Sequence, residues 1–291
     1  MSKKSIKITA DSTCDVGEKL IQELDLSIIG LVVSLGDKDF RDLQNVFPED
    51  IYKYVEQTGN LPKTAAPSPE DYKAFFQRFS SYDSVIHFNI SSKMSASNQN
   101  ARIAAEQFTN VLVVDSLSLS SGTGLLIVEA DRLRDKGLTG EQIKAEVEKL
   151  IPHVQASFVV DTLEYLHKGG RCSGIARLGA SIFRLHPMLL VEDGEIKVFK
   201  KLRGKMEKVY LDYVDIVKES FARPARDYAF LTYTAGISHD YLKQVIKKVR
   251  EQYGFETLYL SVAGSTITSH CGAGTLGLLY IDENPVKITV G

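Results

Sequence analysis

Val111-Leu112-Val113-Val114-Asp115-Ser116-Leu117-Ser118-Leu119-Ser120-Ser121-Gly122-Thr123-Gly124 is the stretch whose pattern decides the fold. Its four apolar residues are mostly β-branched and too few for a helix, which predicts a buried strand ending at Asp115. The hydroxyl- and glycine-rich segment leads into a long helix toward Lys136-Gly137. The same order recurs upstream. Ser84-Val85-Ile86-His87-Phe88-Asn89-Ile90 reads as a strand, followed by Ser91-Ser92-Lys93-Met94-Ser95-Ala96-Ser97-Asn98 and a helix through Gln107. Ile6 to Ala10 reads as a short buried strand running into Asp11-Ser12-Thr13-Cys14-Asp15. Regular alternation of strand and helix predicts a parallel sheet covered on both faces.

The remaining segments of the first half fit this plan. Ile28-Ile29-Gly30-Leu31-Val32-Val33 is expected as one strand turning through Gly36-Asp37-Lys38, and Phe47-Pro48-Glu49-Asp50 starts a helix to about Thr58, stopped by Gly59. Tyr72, Phe75, Phe76 and Phe79 recur at helical spacing and read as core. Thr139-Gly140-Glu141-Gln142 begins a further helix that ends near Ile151-Pro152, and the domain change is placed here, giving domains 1–155 and 156–291.

From Ala156 the texture changes. A strand over Ser157-Phe158-Val159-Val160 precedes Asp161-Thr162-Leu163-Glu164-Tyr165-Leu166-His167-Lys168-Gly169-Gly170-Arg171, and a small-residue helix is expected from about Ile175 to Phe183. Pro187 to Phe199 is the plainest hairpin, with Asp193-Gly194 at its turn. Helices over about Lys205–Phe221 and Tyr241–Tyr253 alternate with strands at Tyr228–Leu231 and Leu258–Val262. The expected fold is therefore α/β in two domains, an N-terminal parallel-sheet domain and a C-terminal α+β domain with a mixed or antiparallel sheet.

The chain has 291 residues, 44% of them hydrophobic and 25% charged, with a formal net charge of -2, so no global basic field exists to gather nucleic-acid phosphates. Met1-Ser2-Lys3-Lys4 leads directly into a strand with no apolar signal core, and no run approaches the roughly 18 apolar residues of a membrane span. A cytoplasmic protein is expected. Cys14, Cys172 and Cys271 are far apart and in no CxxC arrangement, which disfavours a disulfide framework or a structural zinc site.

Thr64-Ala65-Ala66-Pro67-Ser68-Pro69-Glu70-Asp71 reads as a rigid polar turn opening a helix, with Ser68 as cap and Pro69 at the first helical position. A hydroxyl held this way suits the polar end of a ligand in an otherwise apolar site, although a plain loop and cap would carry the same residues. The loop containing Ser95 precedes a helix N-terminus whose N–H groups and dipole suit a carboxylate or phosphate, and a solvated Ser-rich cap is the alternative. His270 stands between hydroxyls and a glycine-rich turn, where it can donate to a carboxylate or titrate near neutrality. His153, His167, His186 and His239 are read as structural. Cys271 gains no catalytic standing from adjacency to His270.

Gly272-Ala273-Gly274-Thr275-Leu276-Gly277 has the letters of the dinucleotide fingerprint but is followed by strand-like Leu278-Leu279-Tyr280-Ile281, so it is rejected. No GxxxxGK[ST], HExxH or GxSxG occurs. No cofactor is expected. Asp11, Asp115 and Asp161 each follow an apolar strand but are too scattered to argue for a metal. Arg171 can support a carboxylate site, and Arg203, within Lys200-Lys201-Leu202-Arg203-Gly204-Lys205, can meet an acidic partner or belong to a solvated face.

Taken together, Asp11-Ser12, the Thr64 turn, the Ser91–Ser97 loop, Asp161 to Arg171 and His270 to Gly277 resemble, in order and spacing across essentially the whole chain, the DegV family. The resemblance implies a two-domain fatty-acid-binding protein that is not itself an enzyme. Its long-chain fatty acid would lie between the domains, with the carboxylate bonded by Thr64, Ser95 and His270 and with Arg171 behind them. It further implies a separate ATP-dependent fatty-acid kinase subunit as partner, contacted through the region of Arg203, with only transient membrane contact. Ala65, Ala66, Ala96-Ser97, Cys172 and Ala273 depart from residues commoner in the family. The alternatives from other classes are a stand-alone hydrolase or phosphatase using an Asp or Cys271, and a binding module for another anionic amphiphile.

Overall fold

In the computed structural model, residues 6–172, 185–221 and 223–287 are described. The chain begins with β1 (Ile6–Asp11), a single 3-10 turn, α1 (Glu18–Glu23), β2 (Ser27–Ile29), β3 (Val32–Leu35) and β4 (Lys38–Arg41). It continues through α2 (Pro48–Thr58), β5 (Lys63–Ala65), α3 (Pro69–Gln77), β6 (Ser84–Asn89), α4 (Ser97–Ala105), β7 (Val111–Asp115), α5 (Ser121–Asp135) and α6 (Gly140–Leu150). A four-stranded sheet in the order β2-β1-β6-β7 is parallel throughout. Successive residues of β6 face opposite sides, as pleating requires. Val85 packs with Tyr72, Phe75 and Phe76 of α3, whereas Ile86 and Phe88 join a core containing Leu125 and Leu126 of α5. The aromatic stripe is thus core, as its spacing predicts.

The run Ile28 to Val33 departs from expectation. It forms two strands in two sheets, because the backbone leaves β2 at Gly30-Leu31 to meet Asp42. Leu31 O accepts the Asp42 N–H at 2.9 Å, and a Cβ on Gly30 would lie 2.5 Å from the Asp42 carbonyl oxygen. After the break, β3 pairs antiparallel with β4 and β5 in a separate three-stranded sheet. Thr64, expected on a loop, therefore lies on a strand opposite Val33.

The second half holds β8 (Val154–Val159), α7 (Glu164–Gly169), β9 (His186–Glu192), β10 (Glu195–Leu202) and α8 (Met206–Ser220). There follow β11 (Tyr228–Tyr233), α9 (His239–Tyr253), β12 (Thr257–Val262), α10 (Ser265–Cys271) and β13 (Leu276–Ile281). The six strands order as β10-β9-β8-β13-β11-β12 and pair antiparallel except for β11 with β12, a mixed sheet. The division expected after residue 155 falls inside β8. Asp193 and Gly194, both at positive φ (49° and 80°), turn the expected hairpin, which suits a two-residue primed turn. Gly272 to Gly277 follows a helix and enters β13, the reverse of a dinucleotide site. The helix expected from Ile175 to Phe183 lies outside the described residues.

One face of the six-stranded sheet is covered by α8 and α9 through Tyr213, Val217, Val245 and Val249. The other face, with Phe158, Leu189 and Phe230, shares one apolar core with Leu125 and Leu126 of α5 and Ile8 of β1. α5 is thus packed between the two sheets, and burial of this shared surface joins the halves. Among the described residues no helix is long and apolar enough to cross a membrane.

Candidate functional site

The site is built around α10, whose sequence Ser265-Thr266-Ile267-Thr268-Ser269-His270-Cys271 has no side-chain cap of its own. The first N–H groups of a helix need acceptors, and here they come from the N-terminal half. Ser265 N–H donates to Asp42 Oδ1 at 3.0 Å and Thr266 N–H to Asp42 Oδ2 at 3.1 Å, while Gly264 N–H donates to Asp15 Oδ1 at 2.8 Å. Ser12 Oγ donates to the same Asp42 oxygen at 3.0 Å, and Ser120 Oγ to Asp15 at 2.5 Å. Burial pushes the Asp15 carboxyl up to about 8, against the hydrogen bonds from Ser120 and Gly264, with nearby Asp42 and Asp11 adding to the rise. Neither aspartate was singled out from the sequence, since a cap supplied across the whole chain leaves no local pattern.

The other end of α10 presents His270, and Thr64 Oγ1 on β5 lies 2.7 Å from its Nε2. Burial first, and then the Arg171 guanidinium, lowers the His270 pKa to about 4. Of the two roles open to it from the sequence, donation or titration near neutrality, the lowered pKa favours the neutral imidazole. Ser95 stands just before α4, where its Oγ accepts the Ser97 N–H at 3.2 Å and lies 2.9 Å from Ser97 Oγ. Arg171 follows the end of α7, with Nη1 donating to Gly169 O at 2.5 Å.

These four side chains line one cavity of about 170 Å³, whose other walls are mainly apolar and include Leu31, Ile90, Met94, Leu166 and Ile196. An open groove against α4 shares Met94, Ser95, Ala96 and Arg171 with the cavity. A smaller inner space shares Leu119, Ile267 and Cys271 with it. Of the four polar candidates, Ser95 and Arg171 also face the open groove, while Thr64 and His270 belong to the cavity alone. Such a site suits an amphiphile with an anionic head, because the tail gains from burial and the head finds donors.

Thr64, Ser95, Arg171 and His270, separated in sequence, are brought together as candidates. Arg203 is not among them: it follows β10 and is exposed, away from the cavity lining. Cys271 lines the cavity, yet burial and then Asp15 push its thiol up to about 12, so it is held as the weakly nucleophilic thiol. Asp11 accepts from Thr13, Asn89 and the Ile90 N–H, Asp115 from the Ser92 and Leu117 N–H groups, and Asp161 lies 3.2 Å from His186 Nδ1. Among the described residues no group of three or more His, Cys, Asp or Glu is placed to hold a metal.

Residues 5–283 match the family model described as "Uncharacterised protein, DegV family". A DegV domain-containing protein of Clostridium acetobutylicum is 30% identical over 284 residues, covering 96% of this chain and 99% of the relative. The solved structure of a DegV family protein from Thermus thermophilus, described for its fatty acid binding, superposes with a TM-score of 0.86 at 27% identity, covering 96% of this chain and 99% of that one. The Streptococcus pneumoniae Fatty Acid Kinase B3 protein, solved loaded with linoleic acid, shares the fold with a TM-score of 0.81 at 20% identity, covering 96% of this chain and 100% of that one. With a match of this extent, the chain belongs to the DegV family.

Proposed function

We propose that the protein is a carrier for a long-chain fatty acid, held in the cavity between the two sheets with its carboxylate toward Thr64, Ser95 and His270. The observation that supports this most is the grouping of these three side chains and Arg171 on the lining of a cavity that is otherwise mainly apolar. A buried acyl chain gains about 0.8 kcal/mol per methylene, partly offset by its ordering. A carboxylate deprived of water needs donors, which the hydroxyls and the α4 N-terminus supply without a close lysine.

In this reading the chain is no enzyme. It works in the cytoplasm and presents the carboxylate to a separate ATP-dependent kinase subunit, which transfers the terminal phosphoryl group to give acyl phosphate and ADP. Exposed Arg203 is a contact for that subunit, and exchange with membranes is transient. The fatty acid binding described for the Thermus thermophilus protein supports the ligand class, and the kinase-system name of the pneumococcal protein supports the partner. The high pKa of Cys271 weighs against a thiol hydrolase.

The test is mass spectrometry of organic extract from the purified protein, followed by displacement of a fluorescent fatty acid. Recovery of stoichiometric fatty acid and at least tenfold weaker competition by the matching fatty alcohol are expected. An empty extract without saturable binding, or equal competition by the alcohol, would overturn the reading.

A further inference from the structure

His270 Nδ1 is buried and has no hydrogen-bond partner among the described residues. Orphaned N–H groups are rarer in proteins than under-used acceptors, so the proton belongs on Nε2, where it is donated to Thr64 Oγ1 at 2.7 Å. That tautomer makes the Thr64 oxygen an acceptor toward the ring and leaves the Thr64 proton for a group in the cavity. The ring in this orientation occupies the space that a side chain on Gly169 would take. This glycine is the last residue of α7, and Gly170, at φ 68° and ψ 19°, ends the helix. A Cβ on Gly169 would overlap Nδ1 and lie 3.0 Å from Cε1. The same residue accepts Arg171 Nη1 at 2.5 Å through its carbonyl. One glycine therefore seats the imidazole on its Cα and the guanidinium on its oxygen.

We infer that Gly169 is a positioning residue: the bare Cα against Nδ1 fixes the His270 ring so that Nε2 donates to Thr64 and the Thr64 hydroxyl faces the cavity as a donor. This rests on the carboxylate reading for its consequence in binding, but the ring orientation can be read without a ligand. Gly169 has no positive φ, so alanine meets no backbone barrier and raises helix propensity. Its penalty arises from the ring.

The experiment compares Gly169→Ala, His270→Ala and the double variant with the parent protein. Imidazole 15N shifts, assigned by loss of the His270 signals in His270→Ala, are recorded on delipidated protein, and palmitate affinity is measured by probe displacement. Gly169→Ala is expected to change the His270 15N pattern and to weaken palmitate at least tenfold. In the His270→Ala background the same substitution should cost less than twofold, since the space opposite the new methyl is then open. If Gly169→Ala is poorly folded, the double variant should recover its thermal midpoint. An unchanged 15N pattern, or a Gly169→Ala penalty of the same size in both backgrounds, would overturn the inference. A parent protein that binds no fatty acid would sink the proposed carrier function instead, and the 15N comparison would still decide the role of Gly169.

Discussion

The two walls of the cavity are held in different ways. The wall carrying Thr64 and Ser95 is organised mainly by a local cap, in which Ser68 Oγ accepts the Asp71 N–H at 3.1 Å and Asp71 Oδ2 accepts the Ser68 N–H at 2.9 Å, with one tie to α4 from Asn100 Nδ2, which donates to Pro67 O at 2.8 Å. The α10 wall hangs on acceptors remote in sequence, with Asp42 bonded to Ser265 across 223 positions and Asp15 to Gly264 across 249. A local cap stabilises the helix that carries it. A remote cap also fixes where that helix sits, so its loss should reach both stability and the Thr64–His270 pair.

The largest effect should therefore follow Asp42→Ala, which leaves the Ser12 hydroxyl and the Ser265 and Thr266 N–H groups without their acceptor in a buried setting. Unpaired buried donors cost about 1 to 3 kcal/mol each, and partial relaxation makes about 3 to 5 kcal/mol the expected loss. Urea unfolding measures it through the midpoint at constant slope. A loss below about 1 kcal/mol would mean that apolar packing, and not the remote cap, holds α10.

The parallel sheet behind α3 and the helix α10 each hold a buried histidine, His87 away from the cavity lining and His270 on it, and acid should separate them. Burial holds His87 down to about 3 and His270 to about 4. His87 Nδ1 lies 2.9 Å from Thr9 Oγ1, and its ring packs edge-on against Phe76. A histidine with a lowered folded pKa takes up its proton first in the unfolded chain, so its stabilising contribution is full above about pH 6.5 and is lost as the pH falls toward the folded value. Asp15, raised to about 8, acts in the opposite sense, its contribution falling as pH rises from about 4 to 8. His87→Gln should remove up to about 1.4 kcal/mol per pH unit from the slope of unfolding free energy between pH 4 and 6, and His270→Gln somewhat less because its window is narrower. Parallel slopes in the parent and His87→Gln proteins would show that neither state of His87 differs in proton affinity.

What could be read from the sequence divides along the same line. The alternating pattern around Val111 to Gly124, the aromatic stripe of α3, the Ser68 cap and the Asp193-Gly194 turn are short-range signals, and each stands in the structure where its spacing places it. The break at Gly30-Leu31 was not legible, because it answers to Asp42, whose partners include Ser12 and Ser265. Thr64, Ser95, Arg171 and His270 each stand out in the sequence only as polar residues on turns and helix ends, and together only through the family resemblance. Their grouping around one cavity depends on β5 pairing with β3 and on α7 packing against α10, where Gly272 at φ 73° leaves room for the Tyr165 ring. Asp15 and Asp42 carried no local mark at all, although they anchor the helix that bears His270.

The smallest effect tests the local side of the comparison. Ser68→Ala removes the acceptor of the Asp71 N–H but keeps Pro69 at the first helical position and the acidic residues Glu70 and Asp71 in the first turn. Loss of such a cap costs about 1 kcal/mol. Because α3 is also fixed by Tyr72 and Phe76, both fully buried against the parallel sheet, the helix should stay in place, and palmitate affinity should change less than twofold. Asp71 retains its ion pair with Arg41 at 3.0 Å, which keeps the start of the helix tied to the end of β4. Chemical denaturation and probe displacement on the same preparation give both numbers. A stability loss near that of Asp42→Ala, or a large loss of affinity, would mean that the cap fixes the position of the Thr64 wall, and the distinction between a local and a remote cap would fail for this cavity.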